Sequence, residues 1–193
     1  MIAGVVLAAG TSSRLGRPKQ LLDLHGVPIL QHVVDAAAAS RLDDVIVVLG
    51  HEAADIGAAL SLPDRARIVV NPNYSEGQSS SLGAGVAAAP DDCEAVVVVL
   101  GDQPEMTAAL IDRVITEWRA GESPVVRATF GGVPGHPVLI ERSEFALVEE
   151  ARGDEGLRSV LGVAGARVRE LPLGDTPLAD VDTQEHYESL KDG

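Results

Sequence analysis

Val5-Val6-Leu7-Ala8-Ala9-Gly10-Thr11-Ser12-Ser13-Arg14-Leu15-Gly16-Arg17-Pro18-Lys19 decides the fold. Val5 to Leu7 reads as a buried strand. It runs directly into a loop of small and hydroxyl-bearing residues that holds the cations Arg14, Arg17 and Lys19. Small side chains let backbone N–H groups approach phosphate oxygens, and the cations neutralise them. An ordinary βα turn carrying solvated cations is the plainer reading of the same residues. Lys19 adds weight to the first reading. The chain has only two lysines, Lys19 and Lys191, against thirteen arginines. A lysine chosen here points to a site that needs a compact ammonium rather than a planar fork.

Two phosphate loops are excluded by spacing. A dinucleotide fingerprint needs G-x-G-x-x-G, whereas Gly10 and Gly16 are separated by five residues. A Walker A loop needs Lys directly after its second Gly, and Gly16 is followed by Arg17-Pro18.

Working outward, strands alternate with helices. Val45 to Leu49, Arg67 to Val70 and Ala95 to Leu100 read as strands, the last apolar throughout and suited to burial on both faces. Pro28 to Ser40, Ala53 to Leu60, Ser79 to Ala89 and Thr107 to Arg119 read as helices, with Thr107 as an N-cap. This order predicts an α/β fold with three layers and a mostly parallel sheet. Beyond residue 123, strands over 124–129, 138–140 and 167–171 and helices over 143–151, 155–161 and 183–190 are expected. Phe130 to Pro137 reads as a glycine-rich turn. No linker or repeat interrupts the chain, so residues 1–193 read as a single domain, with 123–193 as the acceptor-binding half.

Composition narrows the function. The 193 residues are 46% hydrophobic but 3% aromatic, so Val, Leu, Ile and Ala must build the core. A net charge of −14 without a basic stripe argues against nucleic acid as a partner. It also means that a site for anions must gather its few cations locally or recruit a metal. The lone Cys93 excludes an intramolecular disulfide framework. The absence of a secretory pattern after Met1 and of any membrane-length apolar run makes the cytoplasm the expected location, with no membrane partner. The histidines His25, His32, His51 and His186 have no zinc-ligand spacing among themselves or with Cys93.

Three further segments carry chemistry. Gly101-Asp102-Gln103-Pro104 follows the strand Ala95 to Leu100, and ligands of open α/β sheets gather at such strand ends. Asp102 there either holds Mg²⁺ against phosphate or only opens a turn before Pro104. Asn71 to Gly85 is a polar turn feeding a helix N-terminus. Asp180-Val181-Asp182-Thr183-Gln184-Glu185 alternates carboxylates around an apolar residue, and Asp182 is alternatively the N-cap of the last helix, with Glu185 completing the box.

Leu7, Ala8, Ala9, Gly10, Ser12, Arg14, Gly16 and Lys19 match L-A-A-G-x-S-x-R-x-G-x-x-K at every defined position. The chain resembles the MobA-like NTP transferases, nearest the molybdenum cofactor cytidylyltransferases, and their fold is a Rossmann-like nucleotidyltransferase fold. The resemblance implies catalytic roles for Arg14, Lys19 and Asp102. It gives nucleotide contacts to Leu7, Ala8, Ala9, Gly10, Ser12, Gly77 and Ser81, and acceptor contacts to His136 and Arg158. Asp182 would join Asp102 on Mg²⁺; Gln184 departs from the proline usual after that Thr. Implied partners are CTP, a phosphorylated pterin acceptor and a molybdoenzyme that receives the product. Transfer of GMP or AMP to another phosphorylated molecule is the alternative. An NAD(P)-dependent oxidoreductase is the rival class, with Glu52 where a ribose-binding acid could sit.

Overall fold

The computed structural model describes residues 1–12, 15–153, 156–164 and 167–191, without the side chains of Glu150, Arg158, Ser159, Val163 and Ala164. Arg14 and the side chain of Arg158 therefore lie outside the described residues.

Strand β1 (Ile2–Leu7) is followed by a short 3₁₀ turn, Lys19–Leu21, and a two-residue hairpin, β2 (Asp23–Leu24) and β3 (Val27–Pro28). Then come α1 (Ile29–Ala39), β4 (Asp44–Leu49), α2 (Ala53–Ala59), β5 (Ala66–Val70) and α3 (Gln78–Ala87). β6 (Ala95–Leu100) and α4 (Ala108–Ala120) complete the regular part. The remainder is β7 (Val125–Phe130), β8 (Val133–Glu141), α5 (Phe145–Glu150), α6 (Leu157–Ala164), β9 (Val168–Gly174) and α7 (Gln184–Lys191). Thr107 caps α4 as expected, its side chain accepting from the Leu110 N–H at 3.3 Å.

One seven-stranded sheet runs in the order β5-β4-β1-β6-β8-β7-β9. All neighbours pair in parallel except at β8, which is antiparallel to both β6 and β7. Alternation along the central strands divides the core into two layers. Val6, Val45, Val47, Leu49, Val97 and Val99 face α1, α2 and α4. Val5, Ile46, Val48, Val96 and Val98 face α3, α5 and α6. Burial on both faces explains why these strands read as unbroken apolar runs. Each such Val contributes roughly 1.5–3 kcal/mol relative to exposure. A third, smaller cluster joins Leu22, Leu24 and Ile29 to Val181 and Tyr187, so the C-terminal helix closes over the N-terminal hairpin. The Tyr187 hydroxyl donates to the Asp23 carbonyl there. No helix among the described residues is long and apolar enough to cross a membrane.

One expectation is corrected. Gly135-His136-Pro137 is not in a turn but inside β8; only Gly131 and Gly132, both at positive φ, make the hairpin turn. Arg127 pairs with Val138 and Thr129 with Pro134, so these three residues lie opposite Ala128 alone. Such a bulge re-aims side chains out of the ladder. Sequence periodicity cannot register it, because Gly and Pro signal a break whether the strand ends or only bulges.

Gly85 sets how closely α3 lies on the sheet. A Cβ there would stand 2.4 Å from Val5 Cγ1 and 3.1 Å from Val48 Cγ2, both on fully buried, branched side chains. Gly85→Ala should therefore destabilise by about 1–3 kcal/mol despite the better helix propensity of Ala. The expected fall in thermal midpoint is roughly 2–4 °C per kcal/mol, and an unchanged or raised midpoint would contradict this packing.

Candidate active site

The strand order reverses between β1 and β6: the chain moves outward from β1 through β4 to β5, then returns to the other side of β1. At the carboxyl ends of these strands Leu7 pairs with Leu100, and the Gly101 N–H donates to the Leu7 carbonyl at 2.9 Å. Ligands of open α/β sheets bind at such a switch point. Gly101 is needed for this approach, because a Cβ would meet the Leu7 carbonyl oxygen at 3.1 Å and the Ala8 Cβ at 2.9 Å.

A cavity of about 360 Å³ opens there. Leu7, Ala8, Ala9, Gly10, Lys19, Gly77, Ser81 and Asp102 all line it, joining residues read from three separate segments of sequence. Ser12 does not line it; its hydroxyl instead accepts from the Lys19 backbone N–H at 3.0 Å and so shapes the loop. Gln20, 2% exposed, ties the same loop down by donating from Nε2 to the Ala8 and Gly10 carbonyls at 2.9 and 3.2 Å. Gln20 escaped the sequence reading. Its signal was a polar residue between Lys19 and the apolar Leu21-Leu22. Across the cavity, α3 starts at Gly77, held at φ 105°, with no side-chain cap. Gly77, Gln78 and Ser81 line the cavity there. Buried Asn71 donates to the Ser80 and Ser81 hydroxyls at 2.9 and 3.0 Å and fixes that wall. Glu52 is exposed and is not among the residues lining the cavity.

Lys19 is the centre of charge. Its ammonium lies 2.5 Å from Asp102 Oδ2 and 2.7 Å from Asp182 Oδ1. Burial by itself would lower the Lys19 pKa, but the two carboxylates outweigh it and hold the ammonium above its ordinary value. Asp182 arrives because Val181 is buried under the N-terminal hairpin and its N–H donates to the Asp102 carbonyl at 3.0 Å. The helix cap is not Asp182 but Thr183, whose hydroxyl accepts from the His186 N–H at 3.2 Å. Asp182 is thereby left facing Lys19.

The carboxylates offer a place for a divalent ion. Asp102 Oδ1 is buried with no hydrogen-bond partner among the described residues, and the second acid stands across the same ammonium. Among the described residues no group of three His, Cys, Asp or Glu could hold a metal. A two-carboxylate set suits Mg²⁺ or Mn²⁺, which keep waters and take further oxygens from phosphates.

A second cavity of about 470 Å³ shares Leu7, Gln78 and Leu100 with the first. Phe130, Leu157, Leu161 and Leu178 make its apolar walls, and the β8 bulge brings in His136. Two polar residues that sequence reading missed line this second cavity. Gln103 Nε2 donates to Asp180 Oδ1 at 2.8 Å, while Gln103 Oε1 is buried without a hydrogen-bond partner among the described residues. Burial, reinforced by the Asp102 charge, raises the Asp180 pKa. Asp180 had been read only as one member of an alternating acidic run.

Burial lowers the His136 pKa to about 4. Between pH 6.5 and pH 4 the unfolded chain then binds a proton that the folded chain does not, so acidification through this window costs stability. His136→Gln should lose less unfolding free energy than the wild type between pH 7 and pH 4.5. Parallel pH profiles in denaturant melts would refute a neutral, half-buried His136.

A family model described as MobA-like NTP transferase domain matches residues 4–170. The nicotine blue oxidoreductase of Paenarthrobacter nicotinovorans is 32% identical over 98% of this chain and 96% of its own length. The purine catabolism protein PucB of Bacillus subtilis is 33% identical with the same coverage. Among solved structures, Rv0371c of Mycobacterium tuberculosis superposes with a TM-score of 0.88 at 33% identity, covering 100% of this chain and 98% of that one. A complex of Rv0371c with manganese superposes with a TM-score of 0.85 at 31% identity and the same coverage.

Proposed function

This chain belongs to the MobA-like NTP transferase family and is a nucleotidyltransferase; from that premise we propose that it moves CMP from CTP to the terminal phosphate of a molybdopterin-type acceptor, releasing pyrophosphate. The observation that carries the proposal is the position of Lys19 between Asp102 and Asp182, with Lys19 and Asp102 on the wall of a first cavity that shares Leu7, Gln78 and Leu100 with the second. One cavity has the small-residue loop and uncapped helix start that suit a nucleoside triphosphate. The other is larger, shares part of its wall with the first, and mixes apolar walls with Gln103, Arg127, His136 and Asp180, which suits the body of a polar acceptor. A reacting phosphate held between them lies beside the charged cluster.

In this reading the acceptor phosphate oxygen attacks the α-phosphorus in line, and the bond to pyrophosphate breaks. The nucleophile is already anionic near neutral pH, so no general base is required. His136 at the acceptor side is neutral and suited to donating or accepting a hydrogen bond rather than to binding charge. Lys19, and Arg14 from the same loop, neutralise phosphate oxygens, while Gly77 and Ser81 receive the nucleoside. Arg158 belongs to the acceptor side. A divalent ion, when bound by Asp102 and Asp182, neutralises triphosphate charge and orients it for displacement. The manganese complex of the related Rv0371c supports a divalent ion here, with Mg²⁺ as the assigned ion. Residues 1–122 form the nucleotide half and 123–193 the acceptor half. Cytosine rests on the resemblance of Leu7-Ala8-Ala9-Gly10 and Gly101-Asp102-Gln103-Pro104 to the cytidylyl-transferring members.

Calorimetric titration with CTP, GTP, ATP, UTP and NADPH, each with and without Mg²⁺, tests the proposal. Mg²⁺-dependent preference for CTP supports cytidylyl transfer. A preference for GTP or ATP keeps the chemistry and changes the product. The name of the Paenarthrobacter relative makes the NADPH arm informative: NADPH binding without triphosphate binding would overturn the proposal.

A further inference from the structure

The ion pairs around Lys19 have a consequence for how a metal enters. Two carboxylates that converge on one point repel each other unless a cation lies between them. In this structure the cation is the protein's own. Lys19 Nζ is 2.5 Å from Asp102 Oδ2 and 2.7 Å from Asp182 Oδ1, and the Lys19 side chain is only 15% exposed. Asp102 Oδ1 is buried and finds no hydrogen-bond partner among the described residues, and the ion pair with Lys19 at Oδ2 balances this half-buried acid. An ammonium is compact enough to sit between two acids, and its four-carbon stem can carry it elsewhere, which a planar guanidinium in a bidentate pair does less readily. The adjoining cavity, lined by both Lys19 and Asp102, is where phosphate oxygens would offer the ammonium another partner.

We infer that Lys19 is a displaceable resident counter-ion, occupying the position between Asp102 and Asp182 until a triphosphate draws it away and opens that position to a divalent ion. This rests on the assignment of those carboxylates to the ion under the proposed function. Metal affinity is then low for the protein alone and rises when a triphosphate is bound. By thermodynamic reciprocity the metal raises triphosphate affinity by the same factor. The arrangement keeps the acids neutralised in the free protein and discourages a metal from binding without substrate.

The test is a Mn²⁺ titration of the protein without nucleotide, followed by the electron paramagnetic resonance of free Mn²⁺. It compares the wild type with Lys19→Met, Lys19→Gln and the double variant Lys19→Met, Asp182→Asn. Gln retains a donor toward the acids, so it guards against a fold weakened by facing carboxylates. Both single variants should bind one Mn²⁺ at least about tenfold more tightly than the wild type, because the competing ammonium is gone. The double variant should lose that gain. No tightening in single variants whose circular dichroism matches the wild type overturns the inference, as does a gain that survives in the double variant. No nucleotide enters the experiment, so a base preference other than cytosine would leave its result standing.

Discussion

Lys19→Ala and Asp102→Ala should each lower turnover by about 100-fold or more while leaving the fold intact. Removing one preorganised electrostatic contact to a transition state costs roughly 3 kcal/mol, which is about two orders of magnitude in rate. Both side chains line the nucleotide-sized cavity and neither belongs to an apolar core cluster, so the loss should fall on chemistry rather than folding. The two variants differ in what they leave behind. Asp102→Ala removes a carboxylate whose second oxygen lacks a partner among the described residues, and Lys19 keeps Asp182. Lys19→Ala leaves two acids facing one another. The raised Lys19 pKa gives stability that is present below pH 10.5 and is lost as pH climbs through the folded value. The variant should therefore be weakened at neutral pH and converge on the wild type in strong alkali. Pyrophosphate release and thermal unfolding, measured side by side, check both statements. Turnover close to wild type in either variant would remove that residue from the reaction.

Asp182→Asn should reduce turnover by about 10- to 100-fold, with little change in stability, whereas Thr183→Ala should do the reverse. The structure separates the two roles that one sequence segment could carry. Thr183 accepts from the His186 N–H and caps α7, and losing such a cap costs about 0.5–2 kcal/mol. Asp182 points instead at Lys19, with its side chain 40% exposed on the solvent side. An Asn there keeps shape but loses the charge that pairs with the Lys19 ammonium and that, under the proposed function, would hold a divalent ion. Equal turnover in Asp182→Asn and the wild type would return this residue to a purely structural role. A rate loss in Thr183→Ala as large as that in Asp182→Asn would mean that the docking of α7, rather than the carboxylate, governs the rate.

The first half of the chain was legible because its signals are local. The strands β1, β4 and β6 are runs of Val, Ile and Leu bounded by small or polar residues, and both faces of each are buried. α1 and α4 repeat apolar residues at helical spacing toward a single layer. The second half was less legible. β8 begins at Val133 rather than 138, since Gly135 and Pro137 imitate a loop while paired strand continues around them. The hairpin of β2 and β3 is too short to alternate. Gln103 and Asp180, 77 residues apart, carry no pattern that announces their hydrogen bond.

The sequence by itself determined a mostly parallel α/β sheet and the positions of its phosphate-suited loop and strand-end acid, because strand burial, turn chemistry and loop composition act over a few neighbouring residues. Only the tertiary structure decided that Lys19 meets Asp182, 163 residues away. It also decided that the β8 bulge, α6 and the 177–180 segment enclose a second cavity against the first. The first of those outcomes depends on the docking of Val181 and Tyr187 over Leu22, Leu24 and Ile29. Burial between distant segments drives that docking, and it has no period to be read along the chain.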